Sequence, residues 1–554
     1  MDFKAKGEAG ALALVNECEK ISRNSQEIYY NIWRDAISAF NGVGVVDDTF
    51  STNIVVNHLL SAIETVTPRD VKALLGTRPY VPIRSKNPDY KDWAKVIEGI
   101  ADNMMDDAGF FEKFTNAFRM CRACGTSFVE VFWNIEQENF IQRIPKYDQM
   151  TGSLMGVERF GSSTVKEQLG FRDLGPWEVF VDPMGNRLPD KRWVITKSLT
   201  NKEYVQDLMD IGAYRKIDSE RMRSASPYES EWARELERDK SMAGSDSSDI
   251  GVLCRFMSKD RYIDTWNYSV VLRDQGNPNG NMKKNVYPLV AFRDVTHIGP
   301  DRFWGKGMWE VIRHQARLGD DILTEYFDQV KMGTYRWMMY NPDIVSPEEL
   351  DAVYGNRIPV RGGKFEQAVK EFAPIPPSQE LFQLFDIARG FIDDANSLSY
   401  MQRGGAAPRK ETAFTTGALK AAGDEKLEFG VRYFEGTAMT ELAYLITKTL
   451  DASMTTADIA EYIGWDKAME LESLDPEAMP GGYTYAFNGS DRVMQRTAKM
   501  ESLTGAWNLI GNDPALADRV TYLRKIVELL DTFSEDEINS MLPTVEQDPQ
   551  QAQV

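Results

Sequence analysis

MWEVIRHQARLGDDILTEYFDQVKMG (residues 308–333) and PPSQELFQLFDIARGFIDDA (residues 376–395) are the stretches on which the reading of this 554-residue chain turns. In the first, beyond Pro300, Met308, Ile312, Ala316, Gly319, Leu323, Tyr326 and Val330 recur at steps of three and four, the spacing of one helical face. Gly333 is a natural stop. In the second, Pro376-Pro377-Ser378 supplies a break and an N-cap, and Leu381, Phe385, Ala388, Ile392 and Ala395 repeat the pattern. Two amphipathic helices follow, over 306–333 and 377–398, each with a stripe to bury. Between them Tyr335 to Tyr340 is aromatic and Met-rich, Ser346 to Val353 predicts a short helix, and Ile358 to Phe372 is strand-like around Gly362-Gly363. An insert of about 40 residues is too small for a sturdy core of its own. It calls for support from neighbouring copies of the chain.

After the second helix, Met401-Gln402-Arg403-Gly404-Gly405-Ala406-Ala407-Pro408-Arg409-Lys410 lacks large apolar side chains past its methionine, and its paired glycines are costly to order. An exposed loop is expected there. From Thr412 to Leu450, Leu419, Leu427, Val431, Phe434, Met439, Leu442, Leu445 and Ile446 fall at helical spacing, with Gly417, Gly423, Gly430 and Gly436 among them. Each glycine costs roughly 1 kcal/mol against alanine, so kinks are expected.

Upstream, Ile28, Ile32, Trp33, Ala36, Ile37 and Phe40 predict a helix, as do 57–75 and 93–124. Gly125 closes the last of these, and Ser127 to Asn134 alternates like a strand. Gly175 to Pro183 and Arg192 to Ile195 read as two strands around a turn. Residues 215–249 turn charged and small and predict a flexible insertion. Strands are expected at Val252 to Met257, Tyr262 to Arg273 and Tyr287 to Phe292, with Gly276 to Asn281 as a hairpin between the last two. Beyond Leu450 come an acidic helix, a Pro/Gly break at Met479 to Gly482, a strand at Tyr483 to Phe487, two further helices and a polar tail.

With 42% hydrophobic and 11% aromatic residues the chain can bury sizeable cores, which excludes global disorder. No apolar run approaches the roughly 18 to 20 residues that span a bilayer, and the N-terminus has no signal-like apolar segment, so no membrane partner is expected. The 4 cysteines give no disulfide framework, which fits a reducing compartment. The formal charge of −20 opposes tight DNA binding, because duplex grip comes from Lys and Arg displacing counterions. It suits either plain solubility or a surface past which DNA must slide.

The order helix, compact insert, helix, glycine loop, long helix resembles the stem, clip, stem, tunnel loop and wing helix of tailed-bacteriophage portal proteins, the head-to-tail connectors. Pro300-Asp301-Arg302-Phe303-Trp304-Gly305-Lys306-Gly307 looks like the glycine turn leading into the stem, and Thr412-Ala413 with the helix after it is the other local match. The aromatic strand ending at Asp182-Pro183 resembles the wing of podovirus-like portals. The resemblance runs in element order from about Gln26 to Leu542, and it implies an α+β protomer. Its parts would be a mixed wing (1–305, with the insertion near 215–249), stem helices (306–333 and 377–398), an α/β clip (334–376), a tunnel loop (399–411), a wing helix (412–452), and a helical crown with a C-terminal tail (453–554). It further implies a dodecameric ring at one capsid vertex, made in the host cytoplasm and resident in the virion, through which double-stranded DNA is packaged and ejected. The partners would be the terminase large subunit, the major capsid and scaffolding proteins and a tail adaptor. Gln402, Arg403, Gly404, Gly405, Arg409 and Lys410 would form the tunnel loop, and Arg357, Arg361 and Lys364 the clip interface.

Rival readings are a head-to-tail adaptor or tail ring protein, and a metal-dependent nuclease. Cys121-Arg122-Ala123-Cys124 is a CxxC motif without a second pair or a nearby histidine, so buried thiols compete with a metal site. Asp320-Asp321 and Asp393-Asp394 evoke metal-assisted hydrolysis, yet adjacent helix residues point in different directions. No nucleophile, base and orienter accompany them and no phosphate-binding glycine motif stands in context, so neither an enzyme nor a cofactor is expected. Arg403, Arg409 and Lys410 are either a solvated loop or transient phosphate contacts.

Overall fold

The structure is a computed structural model. It describes residues 7–43, 52–76, 78–147, 154–222, 250–298, 303–334, 337–340, 369–372, 379–396, 429–454 and 482–487, apart from one or two positions at a time inside these spans, and scattered positions between 459 and 469. The chain opens with α1 (Glu8–Phe40) and α2 (His58–Leu75), then the short β1 (Ile83–Ser85), α3 (Lys91–Asp107) and α4 (Phe110–Cys124). The single helix expected over 93–124 is thus two, split where Gly109 turns left-handed at φ 64°. Next come β2 (Thr126–Tyr147), β3 (Leu154–Leu174), β4 (Val179–Val181), β5 (Trp193–Asn201), α5 (Lys202–Asp210), β6 (Ile250–Ser258), β7 (Arg261–Trp266), β8 (Val270–Gly276), β9 (Leu289–Arg293), β10 (Val295–Thr296) and β11 (Gly305–Lys306). The last part holds α6 (Met308–Thr334), β12 (Trp337–Tyr340), β13 (Val369–Phe372), α7 (Gln379–Asn396), α8 (Thr440–Ser453) and β14 (Tyr483–Tyr485). The fold is mixed, with helices and antiparallel sheets, as an α+β reading requires.

Two antiparallel sheets organise the first 300 residues. One has strand order β3-β2-β9 and the other β4-β5-β6-β7-β8. Side-chain alternation along β2 decides which core each residue joins. Val129 and Val131 face the layer of α3, α4 and α8, whereas Phe128 faces the core that holds Trp33 and Trp304. The five-stranded sheet is covered by α1 on one face, through Ala11, Leu14, Val15 and Cys18, and by Val205 and Met209 of α5 on the other.

Two sequence expectations are corrected here. The strand expected over Tyr262 to Arg273 is a hairpin, β7 with β8, turning at Asn267 and Tyr268, both left-handed at φ 47° and 54°. The turn at 276–281 therefore joins strands in different sheets, because β9 pairs with β2 rather than with β8. In addition β2 runs well past Asn134 and pairs with β3 from Phe128 opposite Leu174 to Tyr147 opposite Leu154.

The sheets are laced by an alternating row of buried charge. Glu130 on β2 takes Arg172 at 2.6 Å and Arg255 at 2.9 Å; Asp264 on β7 takes Arg255 at 3.2 Å and Arg273 at 2.6 Å. Both carboxylates are almost wholly buried, so each needs these partners to offset its lost hydration. A second buried group sits where α2, α4 and the end of β9 converge. Arg122 bridges Asp70 at 2.6 Å and Asp294 at 2.8 Å, its guanidinium lying against the rings of Phe118 and Phe434. Residues 429–434 are helical and pass through a π-turn at Glu435–Met439 into α8, so the break expected around Gly436 is an extra residue in the helical turn. The Thr440 hydroxyl donates to the Glu435 carbonyl at 2.8 Å across it.

Where α4 ends, the backbone crosses that of the segment entering α6 with no side chain between. Gly125 is left-handed at φ 86°, and Asp294 N–H donates to its carbonyl at 3.0 Å. Gly305 N–H donates to the Thr126 hydroxyl at 2.8 Å. A Cβ at Gly125, Gly305 or Gly307 would lie under 3.0 Å from backbone atoms of the opposing strand. Gly305→Ala should therefore force the two backbones apart and lower stability by about 2 kcal/mol or more, as strain and overpacking in a core do. Thermal unfolding would check this against Gly99→Ala, whose added Cβ meets nothing within 4 Å.

Candidate functional site

The helix pair grows out of that crossing. Trp309, Ile312 and Ala316, all on one face of α6, enter the core that contains Trp33 and Trp304, whose rings meet edge-on at 4.9 Å. With 27 residues α6 is about 40 Å long, so its far half extends beyond this core. There α7 runs antiparallel to it. Gly319 faces Phe385, and farther out Tyr326 meets Phe382 edge-on at 5.3 Å. At the outer end β12 pairs with β13, Trp337 opposite Phe372 and Tyr340 opposite Val369, joining the end of α6 to the approach to α7. The helices read from sequence at 306–333 and 377–398 thus form one arm closed by a strand pair.

A short extended segment is laid along α6. Val56 N–H donates to Asp320 Oδ1 at 2.9 Å and Ile54 N–H to Thr324 Oγ1 at 3.1 Å. The Thr52 hydroxyl bonds Asp328, and Lys331 Nζ donates to Thr52 Oγ1 at 2.6 Å. The register is geometrically matched: two extended residues span about 6.6 Å and four helical residues about 6.0 Å, so every second strap residue meets the next helix turn. At its inner end Asn57 caps α2, accepting from Leu60 N–H at 3.0 Å, and donates to the Phe40 carbonyl at 2.8 Å.

The arm carries two further properties. It is acidic, with nine carboxylates against four Lys and Arg over α6 and α7. It is also apolar on faces that no described residue covers: Val311, Leu318 and Phe327 on α6 and Phe382, Leu384, Ile387 and Phe391 on α7 are 39–58% exposed. Leu384, Ile387 and Phe391 form a stripe at helical spacing beside the buried stripe of Ala388 and Ile392. Sequence reading found the buried stripe alone. The second was legible as an apolar arc wider than one helix contact needs.

Of the sequence-predicted site residues, Gln402, Arg403, Gly404, Gly405, Arg409 and Lys410, and likewise Arg357, Arg361 and Lys364, lie outside the described residues. The CxxC cysteines are both buried in α4, and burial pushes the Cys124 thiol up to about 12 and the Cys121 thiol well above its usual value. Thiols held protonated in this way are poor metal ligands and poor nucleophiles. Among the described residues no group of three or more His, Cys, Asp or Glu side chains is placed to hold a metal ion, and no helix is long and apolar enough to cross a membrane. The Asp320-Asp321 pair divides as adjacent helix residues must: Asp320 accepts from the strap and Asp321 is exposed. A scan against protein-family models finds no match, and neither does a search of curated proteins.

Burial and neighbouring Asp321 raise the Asp320 carboxyl to about 6 from an ordinary 3.8, against the pull of the Val56 amide. Folding therefore favours its protonated form, so its contribution is full below pH 3.8 and is lost as pH rises through about 6. Asp320→Asn keeps the acceptor and removes the charge. Thermal melts of the two proteins between those pH values should show the wild type losing ground to the variant as pH rises; parallel curves would contradict this assignment.

Proposed function

We propose that this chain is the protomer of a tailed-phage portal ring of podovirus-like type. The observation that carries the reading is the arm: two antiparallel helices closed at the tip by a strand pair, leaving two apolar faces in water on a chain of formal charge −20. Exposed apolar area on this scale fits a surface that neighbouring protomers cover. The acidic excess on the same helices fits the wall of a channel past which phosphate slides without sticking.

In this reading twelve arms side by side form the sleeve through which double-stranded DNA is packaged and ejected. The loop at 399–411, with Arg403, Arg409 and Lys410, touches phosphates in passing and reads no bases. The tip of the arm, with Arg357, Arg361 and Lys364, docks the terminase large subunit during packaging and a tail adaptor afterwards. Rim charges of this kind set association rate more than final affinity. The sheet platform faces the capsid and scaffolding proteins at one vertex of the virion. The protein does no covalent chemistry of its own, and purified rings neither cut DNA nor hydrolyse ATP.

Replacing Leu384, Ile387 and Phe391 together with Glu removes three side chains whose burial is worth roughly 1.5–3 kcal/mol each and adds like charge to an acidic face. Analytical ultracentrifugation should show the wild type as a large ring and the triple variant as a monomer with unchanged circular dichroism. Deleting 403–410 should leave the ring intact and impair DNA packaging or retention. A triple variant that still assembles, or a deletion that abolishes assembly, would overturn these assignments.

A further inference from the structure

The strap at 52–57 does more than connect α1 to α2. Three successive acceptors on α6, Asp320, Thr324 and Asp328, stand four residues apart on one line of the helix. They receive Val56, Ile54 and Thr52, two residues apart, so strap and helix run antiparallel in register. Both ends are fixed. Asn57 ties the inner end to α1 and α2, and Lys331 closes the outer end on Thr52. As far as Gly319 the helix is held by the Trp33–Trp304 core, by Arg317 paired with Asp35 of α1 at 2.9 Å and by His58 of α2 beside Gly319; farther out, from Asp320 to Lys331, the strap reaches back to the first two helices.

The Val56 and Ile54 amides would otherwise be solvated by water, and each such bond is modest taken singly. A row of modest bonds anchored at both ends can therefore be released as a unit without unfolding the core beneath it. We infer that residues 52–57 act as a releasable clamp that sets the angle of the outer half of the arm to the platform, with Asp320, Thr324 and Asp328 as its catch. Closed, the clamp makes the arm a rigid extension of α1 and α2. Open, it leaves the arm hinged near Gly319, beyond the Arg317–Asp35 pair.

Hydrogen exchange followed by mass spectrometry on the full-length protein tests this, comparing wild type with Asp320→Ala/Thr324→Ala and with Asp320→Asn. In the double variant, peptides covering 52–57 and 320–331 should both exchange about tenfold faster, whereas 308–316 and the sheets keep wild-type protection. Asp320→Asn, which retains the acceptor, should keep the wild-type pattern. The inference is overturned if 52–57 is as unprotected in wild type as in the double variant, if it opens with no change in 320–331, or if the loss spreads evenly over the whole protein. Because the readout is local protection rather than assembly, it stands or falls independently of the ring.

Discussion

Everything the arm does depends on the backbone crossing at Gly125, Gly305 and Gly307. There the end of α4 and the entry to α6 approach closer than any side chain permits, and the Gly125 carbonyl and the Thr126 hydroxyl accept the amides of Asp294 and Gly305. The crossing fixes where α6 leaves the platform. Phe303 and Trp304, immediately before it, are buried against Phe128 and Trp33, so the direction of departure is set by aromatic packing as well as by backbone. Moving either glycine strand would shift the origin of a helix about 40 Å long, and its far end would shift most.

Buried charge ties the layers of the platform together beneath that lever. The Glu130–Arg255–Asp264 row joins the two sheets, and Arg122 with Asp70 and Asp294 joins α2 and α4 to the strand that leads to the crossing. Such groups add little net stability over an apolar core, but losing one partner leaves the other buried and unpaired, so removing either side of a pair is costly. Burial raises the Asp70 carboxyl even against the neighbouring Arg122, a sign of how fully the site is dehydrated. The platform's buried charge and the arm's exposed apolar side chains thus belong to different parts of the chain, a packed base and a helix pair that leaves it.

How much of this was readable in the sequence follows from the physics of each element. The two arm helices were legible to within two residues at each end because a 3.6-residue period, a proline break and a terminal glycine all agree there. The outer part of β2 was not, since polar residues such as Gln137, Glu138 and Asn139 mask the alternation and only pairing with β3 makes the strand. The β7–β8 turn was missed because Asn267-Tyr268 places a bulky residue at positive φ, where turn rules expect glycine. Of the strap's acceptors only Asp320 was singled out in the sequence, and as half of an Asp320-Asp321 pair; the line it forms with Thr324 and Asp328 takes its meaning from a strap more than 260 residues away in sequence. The resemblance to portal proteins rests on element order, and the residues proposed to touch DNA and motor rest on that resemblance alone.

The central claim is that the arm is built to be buried against copies of itself around a channel. End-on electron microscopy of the purified protein tests it most directly. The account predicts closed rings of about twelve subunits around an opening wider than the ~20 Å span of duplex DNA. A stable monomer or dimer without a pore, persisting when scaffold is supplied, would contradict it.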